Sequence, residues 1–293
     1  QCRDSTMLVW IRNSSKAATS GQISSATWAT EMRLACVPVH HDLPSTRWHG
    51  SSKHYAGMNL LALDTCFDAC SVAAGRRLRS LTPSIAYAAE PMDTGHAERL
   101  MPMIASVMAD AGMRFDELER IAIATGPGTF TGARIAVSAA RALSLATGAS
   151  IVAVSSLTLM AMNPVVETRG ADRLAIATDA RRGEVYFQVF HPRSLESLSP
   201  PALLTVEAAA AVLAGTSSVI AGSGAAAVCA AARDNGDKAR AICPELLPEA
   251  IDMLFLSSEW PSVARVAPLY LRPPDAKPPA PSPYAGAYSG QCA

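Results

Sequence analysis

The sequence predicts an α/β fold of two similar lobes. Short apolar strands alternate with helices along residues 58–272, a pattern typical of helices packed on sheets. The same order of features also occurs twice. A strand ends in Asp before a tight turn and a return strand, and a later strand runs through Gly-x-Gly into a helix. An internal duplication is the simplest explanation of this repetition.

The first half of the pattern predicts one lobe, over residues 58–168. Its predicted elements are strands at 59–63, 70–74, 121–125 and 151–155 and helices at 95–111 and 131–147. The first helix has an apolar stripe with i, i+3, i+4 spacing. The second is apolar nearly all round, so it should be buried on more than one face. A partner subunit or another helix of the same chain would each explain that second buried face.

The second half predicts the other lobe, over residues 169–272. Its strands are expected at 174–178, 184–190 and 219–221, and its helix at 225–233. Residues 1–57 show no sustained period, and we expect either a disordered leader or sequence upstream of the true start. Residues 273–293 are dense in Pro, Ala, Ser and Gly, and we expect a flexible tail.

The overall composition excludes several classes of protein. Lys plus Arg equals Asp plus Glu, at 25 each, and aromatic residues make up only 5%. This balance does not favour a direct RNA binder or an anionic-membrane binder. Seven scattered cysteines without a C-x-x-C pair argue against a zinc knuckle or a disulfide framework and favour a reducing, cytoplasmic location. A membrane span is not expected, because no apolar run reaches about 18 residues.

Two sets of residues could form a nucleotide cleft between the lobes. Asp64 and Asp179 each end a strand, where a carboxylate can organise a metal–nucleotide complex or simply bond its own turn. The glycines of the two Gly-x-Gly turns could hold phosphate at a helix N-terminus or serve only a tight turn. They are Gly126, Gly128, Gly222 and Gly224. Both interpretations are open from the sequence.

A metal site is not predicted, and neither is a catalytic residue. His96 starts a helix, but a helical metal pair needs a second ligand at i+4, and that position is Leu100. We therefore expect His96 to cap the helix or to pack at a surface.

Four separated segments carry a resemblance to a known family. They are LLALDTCFDACSVA (60–73), HAERLMP (96–102), GPGTFTGARI (126–135) and DARRGEVY (179–186). In this order and spacing they resemble the TsaB family from about residue 58 to residue 272. The resemblance implies a duplicated actin–hexokinase–Hsp70-like, ribonuclease H-like fold.

The resemblance also implies a function without catalysis by this chain. TsaB proteins are similar to TsaD, which has a helical His-x-x-x-His metal pair and transfers threonylcarbamoyl to N6 of adenosine 37 in tRNAs that read codons beginning with A. The expected partners are TsaD in a heterodimer and TsaE, an ATPase, with a homodimer as an open alternative. The chain would reach tRNA only through the complex and would need no cofactor. Protease activity is not expected.

The resemblance assigns the TsaD contact mainly to the first two helices. The residues expected at this interface are His96, Leu100, Met103, Ile104, Val107, Arg134, Ile135, Ser138, Ala139 and Ala142. The alternative function is a nucleotide-binding phosphotransferase of the same superfold, acting through the cleft of Asp64, Asp179 and the four glycines.

Overall fold

The structure is a computed structural model that describes residues 8–11, 33–36, 58–76, 84–163, 165–256 and 260–273. Within the first 57 residues, β1 (Leu8–Ile11) and β2 (Arg33–Cys36) pair antiparallel. We expected no regular structure in this segment, so these eight residues depart from the expectation. The remaining residues of the segment, and the predicted tail after Pro273, lie outside the described residues.

The first lobe contains a five-stranded sheet with the order β5-β4-β3-β6-β7. Its strands are β3 (Asn59–Asp64), β4 (Ala69–Arg76), β5 (Ser84–Pro91), β6 (Arg120–Ala124) and β7 (Ser150–Val154). The pairs β3–β4 and β4–β5 are antiparallel, and β3–β6 and β6–β7 are parallel. The predicted hairpin is confirmed, whereas the edge strand β5 was not predicted.

Two helices cover one face of this sheet and build the largest core of the chain. They are α1 (His96–Asp110) and α2 (Phe130–Thr147). Both begin and end within one residue of the predicted bounds. Gly95 and Gly148, at φ 86° and 78°, lie at the start of α1 and the end of α2. Glycine takes such left-handed angles without the steric cost that a side chain imposes.

The second lobe repeats this plan with a sheet of order β10-β9-β8-β11-β12. Its strands are β8 (Arg173–Asp179), β9 (Glu184–Phe190), β10 (Ala202–Thr205), β11 (Ser217–Ala221) and β12 (Lys238–Ile242). Again the first three pair antiparallel and the last two join in parallel. Helices α4 (Val206–Val212) and α5 (Ala225–Asp234) cover one face, and α3 (Ser156–Met162) packs on the other. The predicted two-lobed α/β fold is therefore confirmed.

The chain returns to the first lobe after β12. Helix α6 (Ala250–Leu256) packs on the first sheet, where the Ala250 N–H donates to Ser71 Oγ at 3.0 Å. Farther on, the Leu269 N–H donates to Thr125 O at 2.8 Å. The last part of the predicted second lobe, from residue 250, thus contributes to the core of the first. None of the described helices is long and apolar enough to cross a membrane.

Candidate functional site

The two strand-ending aspartates form equivalent turns. Asp64 Oδ1 accepts the Cys66 N–H at 3.3 Å, and Asp179 Oδ1 accepts the Arg181 N–H at 2.8 Å. Both carboxylates therefore bond the backbone two residues ahead, as turn aspartates commonly do. They differ in solvent access, since Asp64 is 1% exposed and Asp179 lies open to water. They therefore do not form a pair of carboxylates that both face solvent.

Burial changes the chemistry of Asp64. It raises the pKa of the carboxyl group from 3.8 to about 7, while the hydrogen bonds from Cys66 act in the opposite direction. Among the described residues, Asp64 Oδ2 has no hydrogen-bond partner. The neighbouring Cys66 thiol donates to Ala124 O at 3.4 Å, and burial together with the Asp64 charge raises its pKa well above 9. The thiol is therefore poorly suited to act as a nucleophile at neutral pH.

The first glycine loop is packed tightly against the turn that follows Asp64. A Cβ added to Gly128 would lie 2.1 Å from Cys66 O, and one added to Gly132 would lie 1.9 Å from Thr65 O. The Thr129 N–H at the start of α2 donates to Cys66 O at 2.6 Å. An amide that could have faced a phosphate thus bonds the chain itself. These glycines are explained by close backbone approach.

The second glycine loop repeats this arrangement in the other lobe. A Cβ on Gly222 would lie 2.6 Å from Ala177 O, and one on Gly224 would lie 2.7 Å from Val185 Cγ1. The Gly224 N–H also donates to Ala177 O at 2.9 Å. The duplication seen in the sequence therefore extends to the contact between each glycine loop and its Asp turn.

A segment near the end of the described chain crosses from the first loop to the second lobe. A Cβ on Gly126 would lie 3.0 Å from Leu269 O. Three residues later, Arg272 forms an ion pair with Glu184 at 2.7 Å and donates to Ala180 O at 2.8 Å. The chain's own backbone thus occupies space beside the first glycine loop and is tied to the Asp179 turn of the second lobe.

The ring of His96 contacts the protein's own backbone at the position where a helical metal pair would have its first ligand. Its Nε2 lies 3.0 Å from Phe67 O, which joins the start of α1 to the β3–β4 turn. Leu100, one turn later, is 1% exposed in the core. No group of three or more metal-binding side chains occurs within the described residues.

The expected interface residues of α1 require a correction. His96, Leu100, Met103, Ile104 and Val107 are all buried within the first lobe. The reason is that the apolar i, i+3, i+4 stripe of an amphipathic helix packs on its own sheet. The surface-exposed residues of α1 are on the opposite face, and they include Met101, Pro102, Ala105 and Ala109.

Helix α2 exposes part of the set expected at the interface. Arg134, Ser138 and Ala142 are exposed, whereas Ile135 and Ala139 are half-buried against the core. The exposed face continues to Leu145, which is 90% exposed, and Ala146. From the exposed residues of the two helices we define the α1–α2 surface as Met101, Pro102, Ala105, Ala109, Arg134, Ser138, Ala142, Leu145 and Ala146. The same helices also expose polar and charged residues, among them Glu98, Ser106, Asp110 and Arg141.

An aromatic cluster beside this surface was missed by sequence reasoning. Phe130 and Tyr270 stack with their ring centroids 5.2 Å apart, and both are about half exposed. The Arg134 guanidinium lies 3.6 Å from the Phe130 ring centroid, and its Nε donates to the Tyr270 hydroxyl at 2.6 Å. Because Tyr270 is 136 residues from Arg134 in the chain, no local sequence pattern predicts the cluster.

Several known proteins are similar to this chain in sequence. A family profile described as "TsaD: tRNA N6-adenosine threonylcarbamoyltransferase" matches residues 90–228. The tRNA threonylcarbamoyladenosine biosynthesis protein TsaB of Haemophilus influenzae is 35% identical over 44% of this chain and 52% of its own length. Its namesake in Escherichia coli is 31% identical over 50% of this chain and 64% of its own length. The matched part thus spans only about half to two thirds of these curated relatives.

A solved structure extends the likeness over a complete relative. YeaZ from Pseudomonas aeruginosa is 31% identical, with a TM-score of 0.58, and the match covers 73% of this chain and 100% of that protein. A second Pseudomonas aeruginosa structure, described as similar to peptidase YeaZ, is 32% identical with a TM-score of 0.62 and the same coverage. This chain therefore belongs to the TsaB family.

Proposed function

We propose that this chain is a non-catalytic subunit that binds and activates TsaD during tRNA threonylcarbamoyladenosine biosynthesis. The names of the TsaB relatives and the TsaD profile support the pathway. In this proposal TsaD transfers threonylcarbamoyl to N6 of adenosine 37, and the ATPase TsaE joins the complex. This chain supplies a surface that holds TsaD in its active form.

The α1–α2 surface is the observation that carries the proposal. Its apolar members include Met101 at 47% and Leu145 at 90% exposure. Both helices also expose alanines, whose small side chains allow another backbone to approach closely. Large apolar side chains exposed on two neighbouring helices are typical of an interaction site in a folded protein. Covering it is favourable by about 25 cal/mol per Å² before the costs of association.

The aromatic cluster supplies anchor residues at the edge of that surface. Interface hot spots are enriched in aromatic residues and Arg. Here Arg134 is already held by Phe130 and Tyr270, so little side-chain freedom remains to be lost on binding. Its charge offers an ion-pairing position to a carboxylate of TsaD.

The cleft supports a subunit without its own chemistry. Asp64 is buried, amides of both glycine loops bond the chain's own carbonyl groups, and Leu100 fills the second position of the metal pair. These features favour the subunit over a phosphotransferase. Isothermal titration of the chain with ATP and magnesium should give no saturable heat, and tight saturable binding would favour the phosphotransferase instead.

The decisive experiment is co-purification with TsaD of the same organism. We expect Ala142→Glu to weaken TsaD binding at least a hundredfold, or about 2.7 kcal/mol. An unpaired buried carboxylate costs several kcal/mol, which exceeds that loss. Ala226→Glu is the matched control, because Ala226 is also an exposed helical alanine but lies in the second lobe.

A charge at a buried position of α1, such as Leu100, would not test the interface, because it would lie in the core and unfold the lobe. Circular dichroism should show that Ala142→Glu and a second variant, Leu145→Glu, remain folded. Normal TsaD binding by both folded variants would remove the α1–α2 surface as the interface.

A further inference from the structure

A groove lies at the edge of the second sheet where β8, β11 and β12 begin. Its volume is about 250 Å³, and it is lined by nine residues that include Arg169, Lys238 and Arg240. No carboxylate belongs to that lining, and all three cationic side chains are exposed. In a chain whose formal charges sum to zero, the side chains that line the groove carry positive charge only.

The three cations come from two separate parts of the chain. Lys238 and Arg240 alternate with the buried Ala239 along the edge strand β12. Charges on an edge strand can protect it from pairing with another sheet, but that role does not explain Arg169, which lies in the loop before β8. The Arg240 guanidinium donates to the backbone oxygen of Glu167 at 3.1 Å. This bond links the β12 cations to the loop that carries Arg169.

Three carboxylates lie beside the groove without lining it, and they offset part of its positive charge. Asp172 Oδ2 accepts the Ser217 N–H at 3.0 Å, and Asp237 Oδ1 accepts the Gly215 N–H at 2.7 Å. Glu167 lies 4.0 Å from Arg169, but these side chains are 67% and 90% exposed, respectively. An ion pair this exposed contributes little, so Arg169 remains available to another anion.

We propose that this groove binds phosphate groups of the tRNA backbone when the chain is in complex with TsaD. The inference rests on the proposed function, because TsaD brings the tRNA to this chain. Two guanidinium groups match the geometry of phosphate oxygens, and Lys238 adds a point charge. The groove is open rather than enclosed, which suits an extended polyanion better than a small ligand. The neutral chain binds RNA weakly alone, and the groove adds its contacts only once TsaD has positioned the tRNA.

The test removes the three positive charges from the groove. The variant Arg169→Ala/Lys238→Ala/Arg240→Ala should still co-purify with TsaD. Its complex should bind tRNA at least ten times more weakly than the parent complex. The negative slope of log K against log salt should decrease in magnitude by about 2, because each lost phosphate contact removes about 0.7–0.9.

A control with the same change in charge carries Arg114→Ala, Arg181→Ala and Arg182→Ala, all at exposed positions outside the groove. It should keep the parent affinity and slope. Arg169→Glu, a single loop substitution, provides a second variant that leaves the edge strand intact. It should weaken tRNA binding in the same direction.

The readouts separate failure of this inference from failure of the proposed function. If the parent chain does not bind TsaD, the proposed function fails. This inference then fails as well, because nothing brings tRNA to the groove. If the parent binds TsaD but the groove variant binds tRNA as the parent does, the inference alone is overturned. Loss of TsaD binding in the folded groove variant would also overturn it, because the groove would then be a protein interface.

Titration of the chain with inorganic phosphate distinguishes the source of the phosphate. We expect no saturable binding. Saturable phosphate binding that the groove variant loses, with unchanged tRNA affinity, would show a small-anion site and overturn the RNA assignment.

Discussion

The buried carboxyl group of Asp64 should make the stability of the first lobe depend on pH. Burial raises its pKa from 3.8 to about 7. Well below pH 3.8 the group is neutral in both the folded and the unfolded chain. As the pH rises from about 4 to 7, the unfolded chain releases this proton before the folded chain does, so stability falls. Above pH 7 the loss is complete and constant.

Asp64→Asn removes this titration. A pKa rise of about three pH units corresponds to roughly 4 kcal/mol. The new amide also brings donors that the buried site must satisfy, at a cost of about 1–3 kcal/mol that does not depend on pH. The difference in unfolding free energy, variant minus parent, should therefore increase by about 4 kcal/mol between pH 4 and pH 8. The pH dependence of this difference is the quantity to measure, because the constant cost cancels.

Urea unfolding of both proteins across this pH range measures the difference. Asp252, whose pKa burial also raises to about 7, titrates in both proteins, so its contribution cancels. Asp179→Asn is the matched control, because it changes the equivalent exposed turn and should alter stability by less than about 1 kcal/mol. If the Asp64→Asn difference varied by less than about 1 kcal/mol over the whole range, the Asp64 carboxyl would not be desolvated as the structure shows.

Three further outcomes are expected. Gly128→Ala should lower the unfolding free energy by more than about 2 kcal/mol, because its Cβ would meet Cys66 O at 2.1 Å. A double-mutant cycle of Phe130→Ala and Tyr270→Ala should give a coupling of about 0.5–1.5 kcal/mol, the usual size for stacked rings. The Cys66 thiol, which is fully buried, should react with iodoacetamide far more slowly than the half-buried Cys243, as peptide mass spectrometry would show.

Each of these outcomes has a contrary result that the same measurement would reveal. Gly148→Ala, where no atom lies within 4 Å of the added Cβ but φ is +78°, should cost only about 1 kcal/mol. Equal losses at Gly148 and Gly128 would remove the close-approach explanation. Additive effects of the two ring deletions would mean that Phe130 and Tyr270 do not stack in solution. Rapid labelling of Cys66 in the folded chain would show that its turn opens readily.

Local chemistry in the sequence was sufficient to predict the centre of each lobe. The apolar run 59–63 before Asp64, the glycines at the helix ends and the repeated order of features gave the hairpin, α1, α2 and the duplication. The bounds of α1 and α2 follow from residues within one turn of each end, such as Gly95 and Gly148. Helix ends of this kind can be predicted without knowledge of the fold, because they depend on interactions between residues that are close in sequence.

Three of the four edge strands of the two five-stranded sheets were decided by the tertiary structure, whereas the edge strand β7 was predicted at 151–155. Strands β5, β10 and β12 have weak patterns of their own, and each exists because a neighbouring strand pairs with its backbone. Helix α6 belongs to the first lobe although it follows the second lobe in the chain, since its place is fixed by contacts such as Ala250 with Ser71. The local sequence pattern around α6 does not indicate which distant residues the helix will contact.

The candidate sites divide in the same way. The sequence determined that Leu100 breaks the metal pair and that α2 is apolar on nearly all sides. Only the tertiary structure decided that the α1 stripe faces inward, that Asp64 is buried while Asp179 is exposed, and that Arg169 meets Arg240 at one groove. The physical reason is that periodicity fixes which residues share a face, whereas burial depends on what the rest of the chain packs against that face.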